Sequence, residues 1–168
     1  MRTGCAAGTG CQEHWRIVVV DVMRLVLRAG GALHLRVYRA SGGRLMSRTS
    51  GMPVLLLTVA GRTTGTPHTT PLVYLDSGGR YVVTGSAAGS PVEPQWFRNL
   101  RKADRAVVEV GRQRTPVTVE IAPPQERQML WEQLVEQSPG FGRYQAKAGR
   151  VIPMAILTPV RGGDAPQA

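Results

Sequence analysis

Two stretches of the chain hold the residue types best suited to chemistry. Gly61-Arg62-Thr63-Thr64-Gly65 is a turn between apolar runs, with two glycines bracketing an arginine and two hydroxyls. Such a turn can aim successive backbone N–H groups and a guanidinium fork at a phosphate or carboxylate. The same residues also make an ordinary Gly-rich turn with an exposed arginine, so the pentapeptide leaves both uses open. Further on, the small-residue loop Ser86-Ala87-Ala88-Gly89-Ser90 precedes Pro94-Gln95-Trp96-Phe97-Arg98-Asn99-Leu100. A helix starting at that proline would present unpaired N–H groups that again favour an anion. Trp96 and Asn99 share one face of it, although Trp96 serves equally as a core aromatic and Asn99 as a solvated residue.

Other chemistries find no support. The chain has no G-x-G-x-x-G or Walker loop, and Gly85 to Gly89 has the wrong spacing for a hydrolase nucleophile elbow. His34 and His68 fall in separate elements with no Asp or Cys at catalytic spacing, which argues against a hydrolytic triad. The two cysteines, Cys5 and Cys11, lie near His14 in a Gly-rich N-terminus. They supply neither a disulfide framework nor a four-thiolate zinc site, so no metal is expected and a reducing cytoplasm suits the chain.

The elements that must position these groups follow from periodicity. Residues 1–14 read as a disordered leader, 15–160 as a single domain and 161–168 as a flexible tail. Trp15 to Arg28 has a helical pattern, and Leu33 to Arg39 a second one ending at Ser41-Gly42-Gly43. The period then changes. Val54 to Val59, Thr69 to Leu75 and Tyr81 to Thr84 are joined by turns and predict a three-stranded antiparallel meander. Ala106 to Val110 and Thr115 to Ile121 predict a hairpin through Gly111 to Arg114, with Val117, Val119 and Ile121 on its buried face. Two helices start at Pro94 and at Pro123-Pro124, the second carrying Met129, Leu130, Leu134 and Val135, and a last strand spans Ile152 to Leu157. Six strands in hairpins with helices between them predict an α+β domain, a split or closed antiparallel β-barrel with flanking helices.

Charge narrows the partners. Against 11 Asp and Glu stand 21 Lys and Arg, a formal charge of +10, which favours an anionic partner: nucleic acid, a phosphorylated cofactor or an acidic membrane. The basic residues are dispersed and aromatic-rich strand signatures are missing, so no nucleic acid is expected. The apolar run Ile17 to Leu27 is broken by Asp21 and Arg24 and is too short to span a bilayer. No secretory pattern surrounds it. The expected location is cytoplasmic, with a peripheral membrane contact through the first helix left open, as is the oligomeric state.

Taken together, Gly61-Arg62-x-Thr64-Gly65, Pro71-Leu72 in the next strand, Ser86 with its Gly loop, and Pro94-x-Trp96-Phe97-x-Asn99-Leu100 resemble the deazaflavin-dependent nitroreductases of actinobacteria. The resemblance runs from about Leu33 to Pro159 and includes Arg150 and Ile152-Pro153. It implies a flavin-reductase-like split barrel and coenzyme F420, a deazaflavin with a phosphate and an oligoglutamate tail, with FMN as the alternative cofactor. It also implies that Arg62, Thr63, Thr64, Gly65 and His68 face the phosphate and tail. Pro71, Leu72, Ser86, Ala87, Ala88 and Gly89 would line the ring and ribityl chain, and Trp96 and Asn99 would close the site. Phe141 and Tyr144 would border the substrate, with Tyr144 or Ser86 supplying a proton. The implied activity is hydride transfer to a small electrophilic quinone, enone or nitro compound. Thr63, His68 and Ala87 stand where the family often has Lys, Arg and Lys, so fewer fixed charges hold the tail. Ser138 and Phe141 replace tyrosines of the nitroimidazole-reducing member. A non-catalytic flavin- or haem-binding barrel, or a basic nucleic-acid-binding module, are the competing readings.

Overall fold

A computed structural model describes residues 33, 35–44, 47–49 and 51–160. The expected leader, first helix and tail lie outside them. The described chain forms eight strands: β1 Arg48–Thr49, β2 Met52–Ala60, β3 Pro67–Val73, β4 Leu75–Ser77, β5 Arg80–Thr84, β6 Arg105–Val110, β7 Gln113–Ile121 and β8 Met154–Pro159. Helix α1 covers 35–40, α2 Gln95–Leu100, α3 Pro124–Gln137 and α4 Gly140–Ala148. Among the described residues no helix is long and apolar enough to cross a membrane.

The strands form one curled antiparallel sheet in the order β1-β2-β6-β7-β8-β5-β4, with β3 added to β2. This is the split barrel that the resemblance implies. β2 is buried on both faces, which explains its unbroken apolar run: Leu55, Leu57 and Val59 enter one cluster with Phe97, Leu100 and Val108, while Val54 and Leu56 pack with Tyr38. A third cluster gathers Met52, Leu75 and Val82 under Leu130, Trp131, Leu134 and Phe141 of the last two helices.

The expected meander does not form. β3 stops at Val73: Tyr74 still donates its N–H to the Pro53 carbonyl of β2 at 3.1 Å, but Pro53 has no N–H to return, so the ladder ends there. β5 has β4 on one edge and β8 on the other, so no edge remains for β3. The barrel is split at this place. The β6–β7 turn is tighter than expected, two residues long, with Gly111 at φ 62° and Val110 opposite Gln113. Tyr38 secures it by accepting the Gly111 N–H at 2.9 Å and donating to the Val54 carbonyl at 3.1 Å. A Cβ on Gly43 would stand 2.5 Å from the Gly111 Cα, so only glycine lets these two turns meet.

One strand boundary, one helix face and one helix also differ from expectation. β8 begins at Met154 because Arg127 and Gln145 occupy the Ile152 carbonyl and N–H, and Pro153 has no N–H to give. In α3 the buried face is Leu130, Trp131 and Leu134, and Met129 is 58% exposed on the opposite side. Helix α4 is new: its Phe141 and Ala148 are buried, and Gly149 ends it at φ 61°.

Candidate functional site

The turn between β2 and β3 is closed by two backbone bonds, Gly61 N–H to Thr66 O at 2.8 Å and Gly65 N–H to Gly61 O at 2.7 Å. Gly65, at φ 70°, supplies the left-handed residue such a turn needs. Helix α2 packs beside it, and Asn99, only 7% exposed, joins the two. Its Oδ1 accepts from both the Arg62 backbone N–H at 3.3 Å and Nη1 at 2.9 Å. Gln95 Oε1 takes a further bond from Nη1 at 2.9 Å. One edge of the guanidinium is thereby fixed, while Nε and Nη2 have no partner among the described residues.

This arrangement walls a polar cleft of about 570 Å³, lined by Gly61, Arg62, Thr63, Thr64 and His68 from the turn side, Thr69 and Thr70 from β3, and Gln95, Trp96 and Asn99 from α2. Hydroxyls, one imidazole and a half-free guanidinium form a donor set suited to oxyanions. Six expected residues thus meet in one place: Arg62, Thr63, Thr64, His68, Trp96 and Asn99. Gly65 shapes the turn without lining the cleft. Gln95, Thr69 and Thr70 carried no distinguishing signal in the sequence.

A second cavity of about 370 Å³ opens farther along the same strand, lined by Thr49, Met52, Val73, Ser86, Ala88, Ser138, Gly140, Phe141, Arg143 and Tyr144. One wall is α4. Phe141 packs edge-on to Trp131 at 6.3 Å and to Tyr144 at 5.5 Å, which ties this wall to α3. Arg127 lies over the Trp131 ring at 4.5 Å, and its burial lowers the guanidinium pKa. The Tyr144 ring packs against the core, while its hydroxyl makes no hydrogen bond among the described residues.

A second wall is the loop from Ser86 to Gly89, packed against α4 at Gly89. Ala87 at φ 44°, Ala88 at φ 53° and Gly89 at φ 79° are all left-handed. Each alanine in that region costs about 1–2 kcal/mol, so the surroundings must impose the shape. Ser86 and Ala88 line the cavity; Ala87 and Gly89 do not. Pro71 and Leu72, placed between the Thr70 and Val73 that line the two cavities, line neither: Leu72 packs into the core beside Leu55 and Leu57. Among the described residues no group of three His, Cys, Asp or Glu could hold a metal ion.

Comparison with known proteins follows the same outline. An F420H(2)-dependent quinone reductase of Mycobacterium tuberculosis is 33% identical over 147 residues, covering 83% of this chain and 99% of the relative. The solved structure of an F420-H2 dependent reductase superimposes with a TM-score of 0.58 at 30% identity, over 62% of this chain and 93% of that one. A structure described as a domain-swapped dimer, 24% identical with a TM-score of 0.60 over 84% of this chain and 98% of that one, shares the fold. The F420H(2)-dependent quinone reductase family model matches residues 32–159. The chain therefore belongs to the F420H(2)-dependent quinone reductase family and is a deazaflavin-dependent oxidoreductase with coenzyme F420 as its cofactor.

Proposed function

We propose that the polar cleft holds the phosphate and oligoglutamate tail of F420, and that the second cavity holds the deazaflavin ring with a quinone, enone or nitro acceptor. What carries this reading is the convergence of a Gly-bracketed arginine, threonine hydroxyls and His68 on one 570 Å³ cleft. That donor set fits an anionic tail. The cleft and the second cavity share β3, which places Thr69 and Thr70 in the first and Val73 in the second, so an elongated ligand can follow the strand.

In this reading Asn99 and Gln95 pre-orient Arg62, so that less side-chain freedom is lost when the anion docks. Ser86 and Ala88 border the ring on one side. Met52, Val73 and Phe141 supply apolar wall and exclude water from the reacting faces. When bound and reduced, F420 supplies a hydride. Tyr144 Oη holds the proton that the acceptor oxygen takes up, with the Ser86 hydroxyl as the second donor at the same cavity. Catalysis then rests on positioning and water exclusion, and no residue with a strongly shifted pKa is required.

Side-by-side fluorescence titration with F420 and FMN tests the reading. F420 is expected to bind at least about tenfold tighter, because FMN lacks the tail, and the difference shrinks as salt rises. FMN binding as tightly as F420 at low salt would sink the tail assignment.

A further inference from the structure

Beside the left-handed loop lies a guanidinium two of whose nitrogens have no partner among the described residues. Arg150 Nη2 donates to the Gly85 carbonyl at 2.8 Å. Its Nε and Nη1 are buried with no hydrogen-bond partner among the described residues. Burying charged donors without partners is costly, and a hydrophobic side chain of similar volume would avoid that cost. The site therefore calls for a role that an apolar filler could not perform.

Two sets of contacts indicate the role. The backbone around Arg150 is gripped from α3 and α4: Gln145 Nε2 donates to the Arg150 carbonyl at 2.6 Å, and Gln145 Oε1 accepts from Arg127 Nη2 at 2.8 Å and from the Ile152 N–H at 3.1 Å. Arg127 Nε donates to the Ile152 carbonyl at 3.0 Å, and the Gly85 N–H donates to Pro153 O at 2.9 Å. A polar chain thus leads from α3 through α4 to the root of the loop. On the loop's far end, a Cβ at Gly89 would meet the Tyr144 carbonyl and the Lys147 side chain at 3.1 Å, so Gly89 is pressed against α4. Between the root and this wedge stand the two left-handed alanines, which cannot hold that conformation by their own preference.

We propose that Arg150 is a positioning residue: by gripping the Gly85 carbonyl it holds the Ser86–Gly89 loop in its left-handed form and keeps Ser86 and Ala88 in the wall of the cavity they share with Phe141 and Tyr144. No carboxylate competes for the guanidinium among the described residues, so the carbonyl bond receives an undivided charge and is strong for that reason. Arginine also stays protonated at every working pH, which lysine in a buried place does not. The mechanical part stands on the geometry alone. Its consequence for catalysis rests on the function proposed above.

Hydrogen exchange of the cofactor-free chain tests the mechanical part, with Arg150→Met and Arg150→Lys as the variants. The Gly89 and Ser90 amides, bonded to Ser86 O at 2.9 Å and Ala87 O at 3.1 Å, report on the loop. In Arg150→Met they are expected to exchange about tenfold faster or more, with intermediate rates in Arg150→Lys, while amides of β5 and β8 and the melting temperature stay as they are. With F420 and a quinone, kcat is expected to fall about tenfold in Arg150→Met at unchanged quinone KM, with partial recovery in Arg150→Lys. Unaltered exchange at Gly89 and Ser90 in both variants overturns the proposal. So does a loss of protection spread through β5 and β8 with a lower melting temperature, which makes Arg150 a support of the whole sheet. Faster loop exchange with undisturbed F420 affinity and turnover keeps the tether and instead removes the loop from the cofactor site.

Discussion

The polar cleft and the second cavity are held in shape by opposite means. In the cleft every backbone conformation is one its residue adopts readily: Gly65 takes the left-handed position, and the arginine is set by the bonds it donates to Asn99 and Gln95. At the second cavity the bordering loop holds two alanines left-handed, and another wall is a helix seated by aromatic edge contacts. The first is a relaxed docking surface open to water, suited to a charged tail whose register need not be fine. The second stores strain against a packed core, and a reaction that needs a ring, an acceptor and a proton donor in fixed relation has use for such rigidity. Under the proposed function, binding and turnover fall to separate regions that share one strand.

The widest separation between the two regions is expected from Tyr144→Phe. This change keeps the edge contact with Phe141 and the packing on the core, and deletes a hydroxyl that has no protein partner among the described residues. Turnover with a quinone should fall by about 10²-fold, the scale at which general acids contribute, with F420 affinity and melting temperature unchanged. A Phe variant that turns over normally while Tyr144→Ala does not would reduce Tyr144 to a wall of the cavity.

Arg62→Ala is the converse and a smaller effect. Removing a charge-assisted contact should weaken F420 binding by about 1.5–3 kcal/mol, less at high salt, with kcat at saturating cofactor unchanged. Because the side chain is exposed and its loss leaves Asn99 still bonded to the backbone N–H at 3.3 Å, the melting temperature should hold. An unchanged dissociation constant in the folded variant breaks the assignment of the cleft.

The same contrast governs what could be read from the amino-acid order. The cleft was legible because its parts are local: glycines bracketing Arg62, and Trp96 and Asn99 three residues apart behind a helix-starting proline. The pattern did not show that Asn99 acts through Arg62, since that contact spans 37 positions. The alternating hairpin of β6 and β7 and the buried run of β2 were legible for the same local reason. The second cavity was half visible. Phe141 and Tyr144 could be named, yet α4 was hidden because Gly140 and Gly142 weaken any helical pattern and Pro139 offers no side-chain cap. Nothing in Ala87-Ala88 announces a left-handed backbone, because alanine adopts it only under constraint. The end of β3 opposite Pro53, and Arg150 reaching Gly85 across 65 positions, are likewise products of tertiary contact.

Ala88→Gly probes the strained wall with the smallest expected change, and its sign matters more than its size. At φ 53° an alanine side chain crowds its own backbone, so glycine should relieve about 1–2 kcal/mol in the folded chain. Against this, glycine makes the unfolded chain more flexible and so costs about 0.5–1 kcal/mol. The net expectation is a stabilisation of up to roughly 1.5 kcal/mol, read as a slightly higher denaturant midpoint at unchanged slope. The two regions should then diverge once more. The cleft does not include Ala88, so the tail's salt-dependent share of F420 binding should be untouched, whereas a wall freed of its side chain should lose some turnover through looser positioning. A variant that is destabilised instead would mean that Ala88 sits in its preferred state and that the loop stores no strain. The contrast between a relaxed cleft and a strained cavity would then have to be given up, even if Tyr144 and Arg62 behave as expected.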